Sequence, residues 1–169
     1  LGDFPDSLVE AVEDVSGKVL ETVLFGYGEP LISPMFYKLL RRVRSSRISF
    51  ITNGLALTEP TLERILESTS RPFYNIAFSI DGARPETYNR IRARSDFHTV
   101  WRNLAHLVRT SRALPRPFEV WLDFVAIRSN IAELPELVRM AAETGVSRVN
   151  VFHLVVWNER FRDESLLGA

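Results

Sequence analysis

Apolar residues in this chain gather into five short runs rich in β-branched and aromatic side chains, at 19–25, 47–52, 74–80, 118–127 and 148–155. Runs of this length, apolar at most positions, read as buried parallel strands. The stretches between them repeat apolar positions at helical spacing. One covers 35–43 behind Ser33-Pro34, a second 62–66 behind Thr58-Glu59-Pro60, and two longer ones cover 97–112 and 131–144, the last stopped by Gly145. Strand and helix alternate throughout, which demands right-handed crossovers and a mainly parallel sheet covered by helices. The fold class is α/β, and the pattern leaves two architectures open, a closed or partial barrel and a doubly wound sheet. No linker or low-complexity stretch divides the chain, so residues 1–169 read as one domain.

In both architectures ligands bind at the carboxyl ends of the strands. Those ends carry the polar residues: Gly26-Tyr27-Gly28-Glu29-Pro30 after the first run, Thr52-Asn53-Gly54 after the second and Ser79-Ile80-Asp81-Gly82 after the third. Arg128, Ser129 and Asn130 follow the fourth, and His153 lies near the end of the fifth. Singly, Asn-Gly and Asp-Gly pairs are turn formers and Asn130 is a good helix N-cap. On one rim they become a set. Glycines let backbone approach a ligand, Glu29 can accept from an amine, and Ser79 and Asp81 can hold ribose hydroxyls. That chemistry suits a nucleoside carrying an amino acid.

Composition narrows the partners. With 46% hydrophobic and 25% charged residues, 169 residues bury one sizeable core. No apolar run approaches the roughly 20 residues that cross a bilayer, and no charged-then-apolar leader opens the sequence, so a cytoplasmic protein without membrane contact is expected. The chain has no cysteine, hence no disulfide and no thiolate-held cluster of its own. Formal charge balances to zero, yet arginines crowd the stretch from Arg84 to Arg116, opposed there by Glu86 and Asp96. Without an accompanying array of stacking aromatics this reads as a solvated helix face, not a nucleic-acid site. His98 and His106 stand about two turns apart on one expected helix, too far to chelate one ion, so no metal site is expected and no residue is assigned a catalytic role. An aldolase-like barrel would need a rim lysine for a Schiff base, and Lys18 and Lys38 are both away from strand ends.

Three motifs, Gly26-Tyr27-Gly28-Glu29-Pro30-Leu31, Thr52-Asn53-Gly54, and Ser79-Ile80-Asp81-Gly82-Ala83 with Glu86-Thr87-Tyr88-Asn89-Arg90-Ile91-Arg92, fall in this order at strand ends. Through them the chain from Val23 to about Val155 resembles the radical S-adenosylmethionine (radical SAM) enzymes, in particular the SPASM-type branch with its cysteine-rich C-terminal extension. The resemblance implies a partial (β/α)6 barrel in which the present strands are the second to sixth, and S-adenosylmethionine as cofactor. Gly28, Glu29 and Pro30 would then sit against the methionyl amino group. Ser79 and Asp81 would face the ribose, Arg92 would pair with the methionyl carboxylate, and backbone around His153 and Leu154 would border the adenine. Asn53 is similar to a rim residue of variable role.

Members of that family hold a 4Fe-4S cluster on Cys-x3-Cys-x2-Cys after the first barrel strand. They cleave S-adenosylmethionine reductively to a 5′-deoxyadenosyl radical, which abstracts hydrogen from a peptide or small-molecule substrate. Neither that strand nor any cysteine occurs in this sequence. The resemblance therefore implies an incomplete radical SAM barrel, a fragment of a longer parent that alone holds the cluster, unable to form the radical unaided. Residues 4–12 would be the helix that follows the missing loop, and the exposed barrel edge would favour self-association. The alternative is a cluster-free, non-catalytic degenerate barrel module that binds a nucleotide or a protein partner.

Overall fold

The structure is a computed structural model that describes residues 6–26, 28–156 and 158–167. Residues 4 and 5 of the expected first helix, and Tyr27 of the first motif, lie outside the described residues. The chain begins with α1 (Asp6–Ser16) and continues through β1 (Glu21–Leu24), α2 (Pro34–Arg42), β2 (Arg47–Thr52), α3 (Glu59–Glu67) and β3 (Phe73–Ser79). It then runs through α4 (Pro85–Ile91), α5 (Phe97–Ala113), β4 (Glu119–Ala126), α6 (Leu134–Thr144) and β5 (Arg148–His153). Short 3-10 turns cover Pro30–Ile32, Ile131–Glu133 and Glu159–Glu164. None of the helices is long and apolar enough to cross a membrane, among the described residues.

All five strands pair in parallel in the order β1-β2-β3-β4-β5. A doubly wound sheet reverses its order at a switch point, and this one never does. Sequential order with right-handed crossovers puts the helices on one face and lets the sheet curl, so the barrel alternative is the one realised. Alternation along the strands sends Ile48, Phe50, Ile76, Phe78, Leu122 and Phe124 to the helix face, where they pack in one core with Leu40, Leu62, Ile65, Leu104 and Leu137. Each such side chain contributes about 1.5–3 kcal/mol on burial. A run of edge-to-face rings, Tyr37, Phe36, Phe50, Phe73 and Phe118, links α2 to the start of β4 with centroids 5.1 to 5.9 Å apart. Residues between the core-facing ones form the other face, where polar pairs lie among Ile51, Ala77, Trp121 and Val125. There Ser49 donates to Glu21 and accepts from Asn75 Nδ2 at 2.9 Å, while Asp123 accepts from Asn150 Nδ2 at 2.8 Å.

Several local expectations are refined. Ser33 and Thr58 occupy the N-cap positions without a side-chain bond to the helix, and the Thr58 hydroxyl meets that of Thr61 at 3.0 Å instead. The helix expected over 131–144 begins as a 3-10 turn because Pro135 has no N–H for the Ile131 carbonyl, which accepts from Leu134. Gly145 ends α6 at φ 92°, its N–H shared between the Ala141 and Ala142 carbonyls. Helix α4 has no counterpart in the expected pattern. It starts at Pro85 and is fixed from outside by Glu133, whose carboxylate accepts from the Ala83 N–H at 2.9 Å, the Arg84 N–H at 3.2 Å and the Thr87 hydroxyl at 2.5 Å.

Candidate functional site

Glu29 stands at the turn after β1, ahead of the Pro30–Ile32 turn. Its Oε1 accepts from the Leu31 N–H at 3.2 Å and the Thr52 hydroxyl at 2.6 Å, and its Oε2 from the Asn53 N–H at 2.8 Å. One carboxylate thus stitches the end of β1 to the end of β2. Of its roughly four lone-pair directions one stays open, on Oε2, so a single further donor such as an ammonium can be accepted. Gly28 beside it has φ 103°, a conformation that favours glycine, and a Cβ there would meet nothing within 4 Å, so the loop has room on that side. At the end of β2 Gly54 has φ 78° for the opposite reason, since a Cβ would lie 2.4 Å from the Phe78 ring. Asn103 of α5 donates to the Gly54 carbonyl at 2.9 Å and fixes this turn.

Asp81, after β3, is 4% exposed. Its Oδ1 accepts from the Val125 N–H at 2.7 Å, its Oδ2 from Arg92 Nε at 2.7 Å, and its carbonyl from Asn130 Nδ2 at 3.1 Å. Asn130 occupies the expected N-cap position, of the Ile131–Glu133 turn, but its side chain serves as a brace and not as a cap: Oδ1 accepts from the Ile127 N–H at 2.8 Å and Nδ2 also donates to the Val125 carbonyl at 2.9 Å. Its amide is drawn into the β3–β4 junction because two buried carbonyls there need a donor. With Nε turned to Asp81, the terminal nitrogens of Arg92 have no hydrogen-bond partner among the described residues.

Two cavities meet at this point. The larger, about 500 Å³, is walled by Ile91, Val125, Ile127, Leu154 and Phe161, with Asp81, Arg90, Ser129 and Glu164 as its polar members. The smaller, about 360 Å³, is bordered by Asn53, Leu55, Arg92, Arg94 and Ser95. Asp81 and Ile91 belong to both walls. Of the residues singled out in the sequence, Asn53, Asp81 and Arg92 therefore converge on one space and Asp81 and Leu154 on its neighbour. Gly28, Glu29 and Pro30 line neither cavity and stand at the adjacent strand end, where Glu29 holds Asn53. Ser79 closes β3 opposite Asp123 and also lines neither.

No local pattern marks Phe161 or Glu164 as wall residues. They arrive because the Arg128 N–H donates to the Glu164 carbonyl at 2.9 Å, the Ser129 N–H to its carboxylate at 3.0 Å, and Arg128 Nε to the Ser165 carbonyl at 2.9 Å. Arg94, at φ 67°, is a non-glycine residue in the left-handed region on the rim of the smaller cavity. Of the carboxyls with displaced titration, Asp123 and Glu133 are the ones buried near the strand ends. Burial pushes Asp123 up, aided by the Asp81 charge and opposed by Asn150 and Arg92. Burial also works to raise Glu133, but the Thr87 hydroxyl, the Ala83 and Arg84 amides and the Arg84 charge outweigh it and hold that carboxyl low.

An apolar chamber next to an arginine whose terminal nitrogens have no hydrogen-bond partner among the described residues fits a nucleoside carrying an amino acid. The residues present do not fit an iron-sulfur cluster: the sequence has no cysteine, and no cluster of metal-ligating side chains occurs among the described residues.

The model of the Radical SAM superfamily matches residues 3–141. Among curated proteins, the mycofactocin maturase MftC of Mycobacterium tuberculosis is 28% identical over 127 residues, 74% of this chain and 30% of that protein. The PqqA peptide cyclase of Gluconobacter oxydans is 29% identical over 141 residues, 78% and 35%. The pre-heme d1 synthase of Dinoroseobacter shibae is 27% identical over 162 residues, 90% and 37%. The chain thus spans about a third of the length of these relatives. Among solved structures, Streptococcus suis SuiB superposes with a TM-score of 0.71 at 14% identity, over 92% of this chain and 35% of that one, a likeness of fold. With a family match covering most of its length and a parallel half-barrel that gathers its polar residues at the strand ends, the chain belongs to the radical SAM superfamily.

Proposed function

We propose that this chain is the S-adenosylmethionine-binding core portion of a SPASM-type radical SAM oxidoreductase, acting in the cytoplasm on a peptide or small-molecule substrate. The observation that carries the reading is the meeting of an apolar cavity and an arginine-bearing one at Asp81 and Ile91, on the rim where strands end. Relatives described as a maturase and a peptide cyclase, and a SuiB structure bound to S-adenosylmethionine, support it. Leu154, Val125 and Ile91 would enclose the adenine and exclude water. Ser79 would reach the ribose, the Arg92 fork would receive the methionyl carboxylate, and the open position on Glu29 Oε2 together with backbone at Gly28 and Pro30 would face the amino group. Asn53 would border the methionyl end. In the parent, S-adenosylmethionine would supply the radical chemistry together with a 4Fe-4S cluster for which this chain offers no ligands, while the residues named here would orient the cofactor and exclude water.

The test is anaerobic reconstitution of the full-length parent with iron, sulfide, a reductant and S-adenosylmethionine, followed by assay of 5′-deoxyadenosine. Its formation in the parent, and its absence with this chain alone, is the expected result. A reconstituted parent that forms none would sink the catalytic reading in favour of a cluster-free binding module. A second copy of the chain would pair through the β1 edge, which has a strand neighbour on one side only.

A further inference from the structure

We propose that Asp81 is a positioning residue, which turns the Arg92 guanidinium so that its two terminal nitrogens, and not Nε, receive the carboxylate of the cofactor's amino-acid moiety. The inference rests on the reading of Arg92 just given and adds the group that sets its orientation. A guanidinium is a rigid planar fork of five N–H donors, and the edge it offers depends on which donor is already committed. Here Nε is committed, at 2.7 Å, to Asp81 Oδ2, and the edge left over is the paired terminal one, suited to bidentate contact with a carboxylate.

The anchor itself has little freedom. The other Asp81 oxygen is held by the Val125 N–H at 2.7 Å, its carbonyl by Asn130 at 3.1 Å, and only 4% of the residue is exposed. Arg92 retains 27% side-chain exposure and stands in a short link between α4 and α5, where a long side chain without a fixed partner would sample many rotamers. Fixing it beforehand lowers the entropy lost on binding. Each Asp81 oxygen already accepts one hydrogen bond within the protein, which fixes the plane of the carboxylate. Asp81 also ties Arg92 to Val125 of the larger cavity, so one residue sets the distance between the adenosine-side and carboxylate-side halves of the site.

The test compares binding of S-adenosylhomocysteine with binding of its decarboxylated counterpart, 5′-(3-aminopropylthio)adenosine, to this chain by titration calorimetry. Wild type is expected to prefer the carboxylated ligand by roughly tenfold or more, the scale of charge-assisted hydrogen bonds. Asp81→Asn should reduce that preference to within about threefold, and Arg92→Ala should do the same, with no further loss in the double variant. Arg92→Lys, which keeps the charge on a single nitrogen, should lose the preference too and provides the readout should Asp81→Asn fail to fold. A preference that persists in Asp81→Asn or in Arg92→Lys while Arg92→Ala abolishes it overturns the positioning role and leaves the functional reading standing. Equal binding of both ligands by wild type removes Arg92 as the carboxylate group, and the inference with it. Binding of neither ligand at millimolar concentration overturns the functional reading itself.

Discussion

At the scale of single residues, the buried carboxyls divide by what surrounds them. Glu133 is surrounded by donors and is held ionised, whereas Asp123 has one strong donor, Asn150, and a like charge at Asp81. The consequence for stability follows from linkage. Asp123 titrates above its ordinary value of 3.8 in the folded state, so between that value and its raised native one the unfolded chain has released a proton that the native chain retains. Folding stability therefore falls across that window as pH rises, and the penalty is complete above the native value. Asp123→Asn carries no such penalty. Denaturant titrations of both proteins from pH 3 to pH 8 should show the variant gaining stability relative to wild type as pH rises, and a pH-independent difference would refute the assignment. The acid lies on the fourth strand in the sequence, but its shift comes from burial in the assembled sheet and from the Asp81 charge just beyond β3, opposed by Asn150 of β5, and none of these is local to Asp123.

Among elements, the strands were legible because each is a compact apolar run, and the observed bounds depart from the expected ones by two residues at most. The first run, 19–25, shortens to Glu21–Leu24, since β1 has a single strand neighbour and its ends are unpaired. Helix α4 was illegible for a different reason: its start is fixed by Glu133, some fifty residues away, and no local pattern announces such a cap. The rim motifs could be read, but not their internal bonding. Glu29, expected to face a ligand, spends three of its acceptor positions joining β1 to β2. Glu29→Ala strands the Asn53 and Leu31 amides and the Thr52 hydroxyl together. We expect a loss of about 2–4 kcal/mol, judged from hydrogen bonds to a charged acceptor and the cost of unpaired donors, measurable by urea denaturation at neutral pH. A loss under about 1 kcal/mol would mean that water replaces the carboxylate without penalty and that Glu29 is not structural.

For the whole molecule, the decisive property is an open sheet. β1 is paired on one side only, and Leu8, Val15, Val19, Leu20 and Val23 are exposed along it. A cleft of about 470 Å³ between α1 and β1 is lined by several of them, and the buried Thr22 hydroxyl beside it has no partner among the described residues. An unpaired strand flanked by apolar surface favours pairing with another chain. Sedimentation velocity should show mass increasing with concentration, and Val23→Lys should shift the population toward monomer. A monodisperse monomer at high micromolar concentration would contradict this.

The strict β1-to-β5 order has a further consequence, for synthesis. Each strand's pairing partner is the strand made immediately before it, so every crossover can close as soon as the strand after its helix has left the ribosome, without waiting for a more distant strand. Nascent chains halted after β3 or β4 should already contain native registers, and the half-barrel can be assembled in the order in which it is translated.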